Sequence, residues 1–377
     1  MSKDTEFIKI LYYFYGIMND SLKYCIGVMS GTSLDGVDLC YVQFDSSNHY
    51  RFDILKASTI AYSETWINKL KKAFTSDNEA IQLLDNEFGD YLGELINIFI
   101  VNNAIDQIDF VASHGHTIFH KPEKGITLQI GNGQIISNRT GLNVVCDFRT
   151  QDVQNGGQGA PLVPIGDHLL FSKYDYCINL GGFANISFEE DQQRVAFDVC
   201  PVNIVMNHFM NQLGLSYDDR GQLASKGELH DELLSHLNNL EFYNLPYPKS
   251  LGWEWVLENV FPLIDNYNLA TEDILRTYVE HIAFQLAKII TPDGNQKEAK
   301  ILVTGGGTFN TFLIRRIEFF IHQKIVLPNN ELIDYKEALI FAFLGLLKLQ
   351  GENNVLSSVT GANKDHSSGL IFKPLVY

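Results

Sequence analysis

Cysteine and charge are both scarce. Of 377 residues, 5 are cysteine, and only 19% are Asp, Glu, Lys or Arg. The cysteines (Cys25, Cys40, Cys146, Cys177 and Cys200) never pair as C-x-x-C. That argues against a disulfide framework or a zinc ribbon and for a reducing, cytoplasmic setting. Basic residues are fewer than acidic ones: 28 Lys and Arg against 45 Asp and Glu leave a net charge of −17. A surface of that sign repels a phosphate backbone, which argues against a nucleic-acid partner. Long apolar runs are missing too. The N-terminal stretch FIKILYYFYGI, residues 7–17, is too short to span a bilayer, so no membrane partner is expected. No small-x-small cleavage site follows it, and residues 1–17 read as an extension ahead of the fold. Repeats of 20–50 residues and low-complexity segments are also lacking.

What is present is an alternation of strand and helix patterns. Residues 24–29 and 37–44 read as strands around a turn, and RFDILKASTIAY as a third. From Glu64 to about Ala104 the apolar spacing becomes helical, with Leu83, Leu84, Phe88, Tyr91, Leu92 and Leu95 in step. Asn203–Leu213 and residues 271–290 read as helices, the latter stopped by Thr291-Pro292. KEALIFAFLGLLKLQ reads as a buried helix opening near Glu337. This pattern implies α/β architecture, with ligands at the strand ends.

Three glycine corners carry the chemistry. The first is GVMSGTSLDGVD, residues 27–38. Gly31 and Gly36 have P-loop spacing, but Val37 stands where lysine belongs, and a strand follows rather than a helix. The missing helix also rules out a dinucleotide fingerprint. Instead, backbone N–H groups with Ser30, Thr32 and Ser33 form an anion nest. Asp35 and Asp38 would repel phosphate unless Mg²⁺ lies between, and magnesium prefers one or two carboxylates plus phosphate oxygens. Taken alone, the stretch reads more readily as a hydroxyl-rich surface turn than as a phosphate clasp. The second corner is INLGGFANIS, with Gly181, Gly182 and Asn185. The third is VTGGGTFN, where Gly305, Gly306 and Gly307 open a helix at Asn310.

The order of these corners resembles the actin, heat-shock ATPase and sugar-kinase superfamily. Within it the chain resembles the anhydro-N-acetylmuramic acid kinases. The blocks that carry the resemblance include MSGTSLDGVD, SHGHTIFHKP, TLQIGNG, DFRTQDVQNGGQGAPLVP, NLGGFANI, YDDRGQLASKG, VTGGGTFN and KEALIFAFL. The resemblance implies two actin-like (ribonuclease H-like) α/β domains flanking a nucleotide cleft: residues 18–147 with 350–377, and 148–349, the latter holding GGQGAP. It implies ATP and Mg²⁺, an amino-sugar substrate and a homodimer. The reaction would open a 1,6-anhydro sugar with water at C1 and phosphorylate O6.

On that resemblance Asp147 is the base for water; otherwise it is a loop-capping Asp. Glu337 is a second active-site carboxylate, or a helix-opening Glu favoured by the macrodipole. The three corners hold the nucleotide, with Asp35 and Asp198 toward the metal. His114, Arg149, Gly157, Gln158 and Gly159 contact the sugar, and Lys226 and Lys249 are further cationic candidates. His116 stands where the family usually has Gln. The chain departs from the family at Leu251-Gly252-Trp253-Glu254, where Thr-Gly-Arg-Glu is usual, and at Cys200-Pro201-Val202-Asn203. Three other readings compete: a sugar kinase with an ordinary hydroxyl acceptor, an actin-like ATPase, and a zinc hydrolase on His114, His116 and His120, the first two of which share a face in a regular strand.

Overall fold

The computed structural model describes residues 22–31, 33–47, 50–291 and 298–375. The expected extension 1–17 and Thr32 lie outside the described residues. The chain forms two compact units, one of residues 1–170 and 335–377, the other of residues 171–334. These divisions differ from the expected ones at 147/148 and 349/350. The loop after Asp147 folds onto the C-terminal segment, where the Gln158 N–H donates to the Thr360 carbonyl at 2.8 Å. GGQGAP therefore belongs to the first unit, not the second.

The first unit is built on seven strands: β1 (Leu22–Ser30), β2 (Gly36–Asp45), β3 (Arg51–Ala61), β4 (Phe110–Lys121), β5 (Ile126–Ile130), β6 (Val144–Cys146) and, late in the chain, β11 (Leu370–Phe372). Their order is β11-β6-β4-β1-β2-β3, with β5 paired to β4. β1, β2 and β3 form an antiparallel meander, while β1–β4 and β4–β6 are parallel. The centre of β1 and most of β2 are buried on both faces, and edge strand β3 is mostly exposed. The C-terminal tail returns to this sheet, β11 pairing antiparallel with β6.

Two helices, not one, fill the helical run. Glu64–Ala73 and Asn78–Asn102 are separated by a break at which the Asp77 carboxylate accepts the Ala80 N–H. Ile81, Phe88, Leu92, Leu95, Ile96 and Phe99 of the longer helix enter the core with Ile26 and Val28. Leu83, placed on the apolar stripe from spacing, is 60% exposed. On the opposite face lies the helix Asn330–Gln350. A Cβ on Gly27 would stand 1.9 Å from the Ala338 carbonyl oxygen, so a glycine on β1 lets this helix sit directly on the strand. That seating fixes the residue before Ala338, which is Glu337.

The second unit carries β7 (Tyr176–Leu180), β8 (Phe183–Glu190), β9 (Gln193–Pro201) and β10 (Ile301–Thr304) in the order β10-β7-β8-β9. β7, β8 and β9 are antiparallel, and β10 joins β7 in parallel. The helix Thr271–Ile290 ends at Thr291, and Ile274, Leu275, Tyr278, Val279, Ile282, Ala283 and Leu286 lie in the core it shares with the sheet. The helix Asn203–Gln212 adds Val205, Met206, Phe209 and Met210. The fold is thus two α/β units, each with its own sheet and its own core.

Candidate active site

The corner between β1 and β2 divides its side chains. Ser30 turns inward: its Oγ lies 2.5 Å from the Tyr62 hydroxyl and 2.7 Å from His116 Nδ1. Asp38 accepts the Thr59 hydroxyl at 2.6 Å. A Cβ on Gly36 would meet the Ile60 carbonyl oxygen at 2.4 Å, so this glycine serves packing against β3. Ser33 and Asp35 remain exposed, beside Gly31, whose carbonyl accepts the Leu34 N–H at 3.3 Å. Of the residues expected to hold a nucleotide here, Ser33 and Asp35 are presented outward, whereas Ser30 and Asp38 are engaged within the protein.

His114 and His116 do not share a face. Gly115 takes φ 73°, and the pairing of β1 with β4 slips between Val28 and Ser30. The bulge sends His116 toward Phe88 and His114 toward Phe341, helix residues on opposite sides of the sheet. This corrects the shared-face expectation and separates two ligands of the zinc reading. Among the described residues, no group of three His, Cys, Asp or Glu side chains is placed to hold a metal ion.

Around His114 the first unit assembles its charged cluster. Arg149 Nε donates to His114 Nε2 at 3.0 Å, and His114 Nδ1 lies 3.0 Å from the Gly115 carbonyl. A guanidinium only donates, so Nε2 is the acceptor and Nδ1 carries the proton. Burial, then the neighbouring Arg149, holds the His114 pKa well below its ordinary value. Arg149 Nη1 donates to the Gly159 carbonyl at 2.7 Å. Burial lowers the Arg149 pKa to about 10, against the opposing fields of Glu337 and Asp152.

Glu337 is exposed, yet its pKa is raised, by burial first. Arg149 and Lys336 oppose that rise and Asp38 adds to it. Glu337 does not open its helix. The Leu332 N–H donates to the Asn329 carboxamide at 3.0 Å, so the helix starts about two turns earlier and the macrodipole reading fails.

Asp147 follows β6 directly, with φ 58° in the left-handed region, an uncommon conformation for aspartate. One carboxylate oxygen accepts the Thr150 N–H at 3.4 Å, a long contact of the loop-capping kind. Of the remaining expected sugar contacts, Gly157 and Gly159 are buried and Gln158 is exposed on the same loop.

The second unit offers backbone rather than charge. After β7, the Gly182 carbonyl accepts the Val202 N–H at 2.7 Å, and the Asn203 carboxamide donates to the Leu180 carbonyl at 3.3 Å. The Gly305–Gly307 corner packs on this one. A Cβ on Gly305 would meet Asn179 Oδ1 at 2.6 Å, and one on Gly307 would meet Leu180 Cβ at 2.7 Å. Gly306 differs, since its Cβ would have only Asn203 Nδ2 nearby, at 3.9 Å. Asn310 caps the following helix through the Leu313 N–H at 3.0 Å. Asp198 accepts from the Asn185 carboxamide and from the Leu251 N–H, the latter at 2.7 Å. Burial raises its pKa, and these bonds hold the rise back. Lys249 donates to the Phe242 carbonyl at 3.0 Å and lies over the Phe242 ring, while Lys226 is exposed.

A family model described as anhydro-N-acetylmuramic acid kinase matches residues 23–374. The chain belongs to that family. It is similar to the anhydro-N-acetylmuramic acid kinase of Aliivibrio fischeri, with 33% identity over 92% of this chain and 98% of the relative. The kinase of that name from Bacillus cereus strain AH187 is 31% identical over 94% of this chain and all of its own length (100%). Among solved structures, a ROK family glucokinase from Streptomyces griseus in complex with glucose and AMPPNP is 11% identical, with a TM-score of 0.38, covering 85% of this chain and 98% of that one.

As an anhydro-N-acetylmuramic acid kinase family member, the chain is a phosphotransferase acting on a sugar hydroxyl. Several polar residues near its site escaped sequence reasoning. Tyr62 closes the chain Tyr62–Ser30–His116 from the end of β3. Lys336, beside Glu337, forms a buried ion pair with Asp167 at 2.7 Å. Asp152 is fully buried within the long family block that also holds Asp147 and Arg149. Nothing in a lone Tyr, Lys or Asp gives such a role away; for Asp152 the density of the block was the available signal.

Proposed function

We propose that the protein opens 1,6-anhydro-N-acetylmuramic acid with water and phosphorylates O6, consuming ATP with Mg²⁺ and yielding N-acetylmuramic acid 6-phosphate and ADP. The observation that carries this reading is the family match across residues 23–374. The first unit supplies the sugar chemistry. Asp147 removes a proton from the water that attacks C1, a role worth roughly 10²–10⁴-fold in rate. As the C1–O6 bond breaks, O6 takes the γ-phosphoryl group. Arg149 and His114, locked together, orient the sugar, and Glu337 holds it and Arg149 in register.

The glycine corners hold the nucleotide. Gly306, free of steric contacts, brings its backbone close to the ligand, while the corner containing Gly31, Ser33 and Asp35 receives the phosphates. Thr32 is assigned there from the sequence alone. Asp35 suits magnesium: it is an exposed carboxylate with no side-chain hydrogen bond among the described residues. Asp198 has both oxygens engaged and would approach a metal only through its remaining lone pairs. The ion would neutralise charge on the phosphates.

The five cysteines are free and buried, which supports a reducing cytoplasmic setting. The homodimer rests on the family resemblance, and light scattering tests it. The deciding experiment is ADP release with a panel of anhydro and ordinary amino sugars in ¹⁸O-labelled water. Label at C1 of the product is expected; ADP release with an ordinary hydroxyl acceptor and no label would instead establish a plain sugar kinase.

A further inference from the structure

We propose that Asp152 is a positioning residue for the sugar subsite, acting through Gly159 and Arg149. This rests on the reading of Arg149 and His114 as sugar contacts. Asp152 lies on the short helix Thr150–Gln154 and is 0% exposed. A carboxylate is placed in such a setting at a cost, unless donors surround it. Here they do. Oδ2 accepts the Gly159 N–H at 2.6 Å, and Oδ1 accepts the Thr360 hydroxyl at 2.8 Å. His366 Nε2 stands 3.6 Å from the same Oδ1.

The loop is shaped around this group. A Cβ on Gly157 would fall 2.2 Å from Asp152 Oδ2, so the turn closes this tightly only with glycine there. The Asp152 main-chain carbonyl also takes the Gly157 N–H at 2.9 Å. Gly159 is thus gripped on both sides of its Cα: its N–H by Asp152, and its carbonyl, in the following peptide, by Arg149 Nη1 at 2.7 Å. Arg149 Nε is then set on His114 Nε2 at 3.0 Å. Three links join a sealed carboxylate to the face of the candidate subsite.

A brace from the far end of the chain completes the arrangement. Besides Thr360 and His366, it supplies the Thr360 carbonyl to the Gln158 N–H and the Asn363 N–H to the Asn155 carbonyl, at 2.8 and 3.1 Å. The sugar loop is therefore held between its own helix and a segment about 208 positions away.

Steady-state kinetics with 1,6-anhydro-N-acetylmuramic acid and ATP tests the role. Asp152→Ala should raise the sugar KM about tenfold or more and leave the ATP KM within about twofold. Asp152→Asn accepts from Gly159 with its oxygen and donates to Thr360 with its amide, so it should keep the sugar KM within about threefold. A merely structural role would lower the melting temperature and the active fraction without splitting the two KM values. Sugar and ATP KM rising together, or neither rising, in Asp152→Ala overturns the proposal. If that variant does not fold, Thr360→Val decides: a sugar KM raised about threefold supports the role, and an unchanged one overturns it. Wild-type enzyme that releases no ADP with the anhydro sugar refutes the functional reading. Wild-type turnover with an unaltered sugar KM in the variants refutes the positioning role alone.

Discussion

The first unit places charge at its candidate site, and the second places backbone. Arg149 is hydrogen-bonded to His114 and joined through Gly159 to the buried Asp152, and Arg149 and Glu337 act on each other's protonation. At the glycine corners of the second unit stand Gly181, Gly182 and Gly305–Gly307 with neutral carboxamides, and the carboxylate of Asp198 is bound on both oxygens. The difference matches the two tasks of the reaction. Moving a proton and gripping a polar sugar call for titratable and cationic side chains. Cradling a nucleotide calls for close approach of main chain, which glycine allows.

Substitutions can break that contrast. The largest effect belongs to Asp147→Asn, expected to cut turnover by roughly 10²–10⁴-fold while the ATP KM stays put. Near-normal turnover would remove Asp147 from the base role.

Next is acid stability. Burial lowers the His116 pKa to about 4, and that of His114 well below 6.5. Both are depressed relative to the unfolded chain, so their contribution is full above about pH 6.5 and declines as pH falls, for His116 until about pH 4. For His116 alone the loss is on the order of 3 kcal/mol. His116 is bonded to Ser30 of the first corner, whereas His281 in the second unit binds Tyr243 and Asn238. Melting curves of His116→Gln should be flatter across that pH range; an unchanged slope would contradict the burial argument.

Arg149→Lys comes third. A lysine cannot hold His114 and the Gly159 carbonyl together with one planar fork, so the sugar KM should rise about tenfold with little change for ATP. The smallest effect is a matched pair in the second unit. Gly306→Ala finds open space and should fold normally but raise the ATP KM severalfold, about 1 kcal/mol. Gly307→Ala meets Leu180 Cβ at 2.7 Å and should instead lower the melting temperature. Unchanged ATP affinity in Gly306→Ala would mean that charge, not backbone, does the nucleotide binding.

Much of the fold was legible because its signals are local. The helix over 271–290 is announced by its apolar spacing and by Thr291-Pro292, and it ends where those residues say. Both strands around the first corner appear within a few residues of their expected bounds. The break at Phe74–Asp77 was missed because apolar spacing runs through it, although Asp77 is a good cap. The start at Asn330 was missed because the first turn is polar and the apolar run draws attention later. Of the candidate site, Arg149, His114 and Gly159 were named and lie in one hydrogen-bonded chain. The partners Asp152 and Thr360 were not, since a contact between residues so far apart leaves no mark in either neighbourhood.

The amino-acid sequence by itself determined the alternation of strands and helices, the three glycine corners and the family, because periodicity, turn chemistry and motif spacing act over a few residues. Only the tertiary structure decided which side of the sheet each histidine of SHGHTIFH faces, that GGQGAP belongs to the first unit, and that a sealed aspartate anchors the loop carrying Arg149's acceptor. Those outcomes depend on a bulge opposite another strand and on donors arriving from the far end of the chain, and such long-range geometry exists only once the chain has folded.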